Sequence, residues 1–181
     1  MKEKFATTFG GSGYTPDTKQ YQDGIRLGRF LAEQGYIVKC GGYYGLMEAV
    51  SQGVREAGGR ILGITNASFD PKQANGFISE EQKQKDLFDR VRQLIQGEHQ
   101  SEIFVSQEGS LGTLTEVFVT WCLAYTQSLS KPVRLCLVGK SWPEVIESLK
   151  SLPISQTDFK LIELYNEMDE FFEQFHLKTT A

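Results

Sequence analysis

Residues that mark particular kinds of protein are scarce in this chain. Its three cysteines, Cys40, Cys122 and Cys136, are widely separated and show no CxxC spacing, so neither a disulfide framework nor a thiolate zinc site follows. Cys122 and Cys136 lie in apolar runs and read as buried packing residues, whereas Cys40 borders a glycine loop, where modest reactivity is expected. His99 and His176 are the only histidines, and no Asp/Glu/His cluster has ligand spacing, so no metal site is expected. A Gly-x-Ser-x-Gly elbow for serine chemistry is missing. So is any surplus of positive charge: 19 Lys and Arg against 23 Asp and Glu leave a net charge of −4. That balance argues against generic binding to nucleic acid or to an anionic membrane. No apolar run approaches the roughly 18 residues of a membrane span, and Met1-Lys2-Glu3-Lys4-Phe5 opens no apolar leader. A cytoplasmic location is the expectation.

What the chain does have is an alternation of short apolar runs with amphipathic segments. Strands are expected at 5–9, 36–40, 60–65, 102–106 and 133–138, with a weaker edge strand at 161–165. Helices are expected at about 17–34, 46–57, 86–97, 113–128, 142–150 and 167–176. Such alternation means parallel strands joined by right-handed crossovers. The fold class is therefore α/β, a doubly wound, mostly parallel Rossmann-like sheet with helices on both faces. The 181 residues suffice for one domain, with its core at 5–176. Asn66–Lys85 has no apolar period and reads either as a lid or as a solvated connection with a short helix. Lys178-Thr179-Thr180-Ala181 reads as a frayed tail.

Three glycine-rich loops stand where strands should pass into helices: Phe9-Gly10-Gly11-Ser12-Gly13, Cys40-Gly41-Gly42-Tyr43-Tyr44-Gly45-Leu46-Met47, and Gly109-Ser110-Leu111-Gly112-Thr113-Leu114-Thr115-Glu116. In open parallel sheets ligands bind beyond the carboxyl ends of the strands, where all such turns emerge, so the loops should converge on one site. Backbone N–H groups in a helix's first turn bind anions, and glycine lets the ligand approach the main chain. The first loop lacks GxGxxG spacing, and Lys39-Cys40-Gly41-Gly42 stands where a dinucleotide site carries its acid. A mononucleotide or sugar phosphate fits better than NAD.

At these residues the chain resembles the LONELY GUY family of cytokinin-activating phosphoribohydrolases and their bacterial relatives, often labelled lysine decarboxylase-like. The family signatures GGGxxGLM and PGGxGTxxE read here as Cys40 to Met47 and Glu108 to Glu116, and Asp86-Leu87-Phe88-Asp89-Arg90-Val91-Arg92 resembles the segment bearing the family's arginine, at Arg90. The resemblance implies hydrolysis of the N-glycosidic bond of a nucleoside 5′-monophosphate to free base and ribose 5-phosphate, with no metal or organic cofactor. It further implies Glu116 and Arg90 as catalytic residues. Gly10, Gly11, Ser12, Gly41, Gly42, Gly45, Met47, Gly109, Ser110, Leu111, Gly112 and Thr113 would bind substrate and phosphate. Relatives pair through helices such as 114–128, whose Val117, Phe118, Trp121, Leu123, Ala124 and Tyr125 form a broad apolar set, so a homodimer is expected.

Each assignment has a plainer competitor. Thr113-x-x-Glu116 also fits a capping box, as does Ser141-x-x-Glu144. Arg90 fits a solvated helix face, and Tyr43 and Tyr44 fit packing as well as stacking on a base. Glu108 stands at the family's proline, Ser110 at its second PGG glycine and Cys40 at the first glycine of GGG. A carboxylate at 108 facing the pocket would repel phosphate by about 1–4 kcal/mol at 4 Å. The chain is also longer than the family pattern between Gln96 and Glu102, which could displace Arg90. These departures favour the alternative of a non-catalytic nucleotide or cofactor carrier resembling the molybdenum-cofactor carrier proteins.

Overall fold

The computed structural model describes residues 3–177, so the tail at 178–181 lies outside the described residues. Seven strands form one all-parallel sheet: β1 (Lys4–Phe9), β2 (Tyr36–Cys40), β3 (Ile61–Asn66), β4 (Glu80–Gln84), β5 (Ile103–Ser106), β6 (Arg134–Val138) and β7 (Ile162–Tyr165). Between and after them run α1 (Lys19–Glu33), α2 (Leu46–Glu56), α3 (Leu87–Ile95), α4 (Leu111–Tyr125), α5 (Trp142–Ser148), the single turn α6 (Gln156–Phe159) and α7 (Met168–Gln174). The spatial order is β4-β3-β2-β1-β5-β6-β7. The chain thus winds outward from β1 in one direction, returns, and winds outward again from β5. The seam between β1 and β5 is the topological switch point.

Alternation along the strands divides the core in two, as the period of a pleated strand requires. Ile103 and Val105 of β5, with Cys136 and Val138 of β6, pack with Leu27, Leu31, Val50, Val54, Phe171 and Phe175 on the face covered by α1, α2 and α7. Phe104, Leu135 and Leu137 point the other way, to Leu94, Ile95, Val117, Trp121 and Ile146 of α3, α4 and α5. Runs apolar on both faces belong to strands buried on both sides, and this sheet has helices on both.

In Asn66–Lys85 the structure has the short helix of the second reading, a 3-10 turn at Ala67–Phe69, but it also has a strand that neither reading expected. Residues 80–84 form β4, paired in parallel with β3 from Leu62↔Glu80 to Asn66↔Gln84. Its residues Glu-Glu-Gln-Lys-Gln are all exposed or half-buried. An edge strand needs no apolar face, and charges there discourage pairing with another chain. The cysteine expectation is also reversed for two positions: Cys40 is buried and Cys122 exposed. Cys122 sits in an apolar run, but on the outward side of α4. Among the described residues, no helix is long and apolar enough to cross a membrane.

Candidate functional site

The three glycine loops meet at the carboxyl edge. The backbone N–H of Gly11 donates to the carbonyl of Glu108 (3.1 Å), and Gly11 accepts from Leu46 N–H (3.0 Å), so the first loop is bonded to both others. Close approach requires small residues here. A Cβ on Gly109 would lie 2.1 Å from Thr113 Oγ1 and 2.9 Å from Gly11 N, and one on Gly41 would lie 2.1 Å from Arg90 Nη2 and 2.6 Å from Met47 Sδ. Gly10 packs on Leu46, while Gly42 and Gly45 pack on Gly63 and on Gly11-Ser12. Several loop glycines therefore serve contact between the loops. Gly13 and Gly112, by contrast, face open space.

Helix α4 begins two residues earlier than expected. Ser110 is its N-cap, no side chain caps the first turn, and no acidic residue stands there. Its first N–H groups, at Leu111, Gly112 and Thr113, point outward beyond the helix start, which is the arrangement that receives an anion. Leu111 is 77% exposed and Ser12 is exposed, so the mouth of this cradle is open, whereas Thr113 is buried. The capping-box alternatives both fail. Thr113 lies inside the helix, and Ser141 makes no side-chain cap bond.

Glu116 is spent on Arg90. Arg90 Nη1 donates to Glu116 Oε1 (3.1 Å), Nε to the carbonyl of Ile64 (2.8 Å) and Nη2 to the carbonyl of Gly41 (3.3 Å). Both side chains are nearly out of solvent, at 8% and 11% exposure. Arg90 is therefore no solvated face residue, and the longer 96–102 segment leaves it pinned to β3, the second loop and α4. Asp86 caps α3 through Asp89 N–H (2.9 Å), fixing the helix that presents it. Burial pushes the Glu116 carboxyl above its ordinary value, and the Arg90 guanidinium opposes that rise. Burial likewise raises the Cys40 thiol, with Ser51 and Gly42 N–H pulling the other way.

Tyr43 is buried, and its hydroxyl accepts from Asn66 N–H (2.8 Å) and donates to the Asn66 carbonyl (3.2 Å), so it braces the end of β3. Tyr44 is 45% exposed beside it. Asn66 itself was missed from sequence. It is buried, its Oδ1 accepts from Ser68 N–H (2.9 Å), and its Nδ2 has no partner. Glu108 accepts at Oε1 from Ser141 N–H (3.0 Å) and Oγ (2.9 Å), which ties the third loop to the turn before α5. Its charge still reaches Tyr14, which packs on Gly11 and whose hydroxyl is pushed up by burial and then by Glu108. Among the described residues no group of three His, Cys, Asp or Glu could hold a metal ion.

The chain is thus a doubly wound α/β protein that carries an open helix start and a buried acid–guanidinium pair beside its switch point. The family model described as SLOG cluster4 matches residues 5–148, and the chain belongs to that family. Among curated proteins it is similar to the probable cytokinin riboside 5′-monophosphate phosphoribohydrolase LOGL2 of Oryza sativa, 32% identical over 120 residues, covering 65% of this chain and 48% of that protein. It is also similar to the Arabidopsis thaliana enzyme LOG5, 34% identical over 100 residues, 55% of this chain and 42% of the other. The chain thus spans about half the length of the curated relatives it matches. Among solved structures, the structural-genomics target TM1055 is 26% identical with a TM-score of 0.70, covering 96% of this chain and 99% of that one. The molybdenum cofactor binding protein of Rippkaea orientalis shares the fold at 19% identity and TM-score 0.72, covering 99% of both chains.

Proposed function

We propose that the protein is a nucleoside 5′-monophosphate phosphoribohydrolase of the cytokinin-activating type. The observation that supports this most is the buried ion pair between Arg90 and Glu116, set behind the open start of α4. Cleaving a ribosyl–base bond passes through an oxocarbenium-like state, and a carboxylate near the sugar stabilises that charge or positions the attacking water. Phosphate would lie on the N–H groups of Leu111, Gly112 and Thr113, which puts the ribose toward Glu116. With its guanidinium committed to Glu116 and two carbonyls, Arg90 acts by orienting the carboxylate.

Incubation with a panel of nucleoside 5′-monophosphates, with assay of ribose 5-phosphate, tests the reading. Release from at least one nucleotide is expected, and Glu116→Gln should lower turnover about 10²–10³-fold with affinity retained. Saturable nucleotide binding without any release would instead establish the carrier reading, which Glu108 and Ser110 favour by standing where the family motif has proline and glycine.

The active form is a homodimer. Phe88 (83% exposed) and Leu87 on α3, with Tyr125 on α4, are large apolar side chains left exposed, which a partner subunit would cover.

A further inference from the structure

A second polar cavity, of about 180 Å³, opens at the amino edge of the sheet, away from the glycine loops. Lys39 of β2 forms part of its wall, with Arg60, Glu80, Gln93, Glu98 and His99 around it. Lys39 is 2% exposed. Its ammonium has three N–H donors and two acceptors within the protein, the carbonyls of His99 (3.0 Å) and Gln93 (3.4 Å). No carboxylate pairs with it among the described residues, so a full charge is buried with one donor unused. Such a group is costly unless an anion completes it. Burial, and then the nearby Lys131 charge, hold its pKa down to about 8, as expected for a cation lacking a counter-charge.

The rim carries the opposite sign. Arg60 is taken by Glu3 (3.2 Å), whereas Glu80 and Glu98 are exposed and enter no ion pair among the described residues. Glu80 accepts only from the neutral Gln82 amide (2.8 Å). His99 stacks flat on Phe5, closing one wall (centroids 4.6 Å apart). A buried cation below exposed carboxylates calls for a ligand charged in the reverse order.

We propose that this cavity binds a small amino-acid zwitterion, its carboxylate on the third N–H of Lys39 and its ammonium facing Glu80 and Glu98. The site is independent of the glycine-loop site and of any activity there.

Calorimetric titration with glycine, alanine and β-alanine tests this, with acetate and methylamine as the half-molecules. Saturable binding of at least one zwitterion is expected, with each half-molecule about tenfold weaker or more. Lys39→Met should abolish binding, and the double variant Glu80→Gln, Glu98→Gln should bring the zwitterion down to the affinity of acetate. Absence of saturable binding at about 10 mM, binding unchanged in Lys39→Met, or acetate binding as tightly as the zwitterions would each overturn the proposal. Should Lys39→Met fail to fold, carbon-13 labelling of the lysine side chains of the unsubstituted protein provides a second measurement. Saturating zwitterion should move the Lys39 titration to higher pH, and an unmoved titration overturns the assignment.

Discussion

At the scale of single residues, the buried pair makes opposite demands on Glu116 and Arg90 that measurements can separate. Removing the carboxylate by Glu116→Ala strands a buried guanidinium charge and should cost about 3–5 kcal/mol by denaturant unfolding. Glu116→Gln keeps an acceptor for Arg90 and should cost less, so a turnover loss in Gln without a matching stability loss separates catalysis from packing. Because burial raises the Glu116 carboxyl, the acid limb of kcat/KM should fall above the ordinary glutamate value, and it should vanish in Glu116→Gln. Lys39 supplies a stability signature of its own. Its folded pKa of about 8 lies below the ordinary 10.5, so the unfolded chain binds more protons between those values and stability should rise with pH through that window. Tyr21, raised to about 12 by burial and Glu48, acts in the reverse sense above pH 10, and the Cys40 thiol, raised by burial from its ordinary 9.0, does so from about pH 9, so the rise is cleanest from pH 8 to 9. Lys39→Met should flatten it. Thiol labelling of the native protein should modify Cys122 first and leave Cys40 protected.

Among the elements, helix α4 carries the sharpest test. Its first turn is uncapped and free of acids, and a Cβ at Gly112 meets nothing. Gly112→Asp should therefore fold normally, the added charge even helping the helix start. The same charge beside a bound phosphate should weaken nucleotide binding by about tenfold or more. Unchanged affinity would remove the cradle from the α4 start. What was legible in the sequence follows from what each element buries. β1, β2, β3, β5 and β6 announce themselves because both faces are buried and mostly apolar, and the loops because only glycine lets Gly11, Gly41 and Gly109 come so close to their neighbours. β4 was illegible because an edge strand with a solvated face leaves no apolar period in Glu80–Gln84. That Glu116 is no helix cap was also hidden, since spacing alone fits a capping box and only the helix start at Leu111 excludes it. Asn66 left no signal, being one polar residue at a strand end.

For the whole molecule, light scattering at micromolar concentration should report about twice the chain mass of 20.4 kDa, and a monomer would overturn the proposed dimer. Such an assembly would cover the apolar residues on α3 and α4 that remain outside the core. The sheet order carries a different consequence. Every element up to α3 belongs to one wing and every element from β5 onward to the other, and the wings meet where β1 pairs with β5. Arg90 comes from the first wing and Glu116 from the second, so neither half holds a complete acid–guanidinium pair. A cut at Gly97-Glu98 would thus yield two complementary fragments, neither holding the pair alone, whose reassociation through the β1–β5 ladder and the packing of α7 on α1 and α4 on α3 rebuilds it. The chain is in that sense a ready-made split protein, with recovery of the proposed nucleotide binding as the signal that its halves have met.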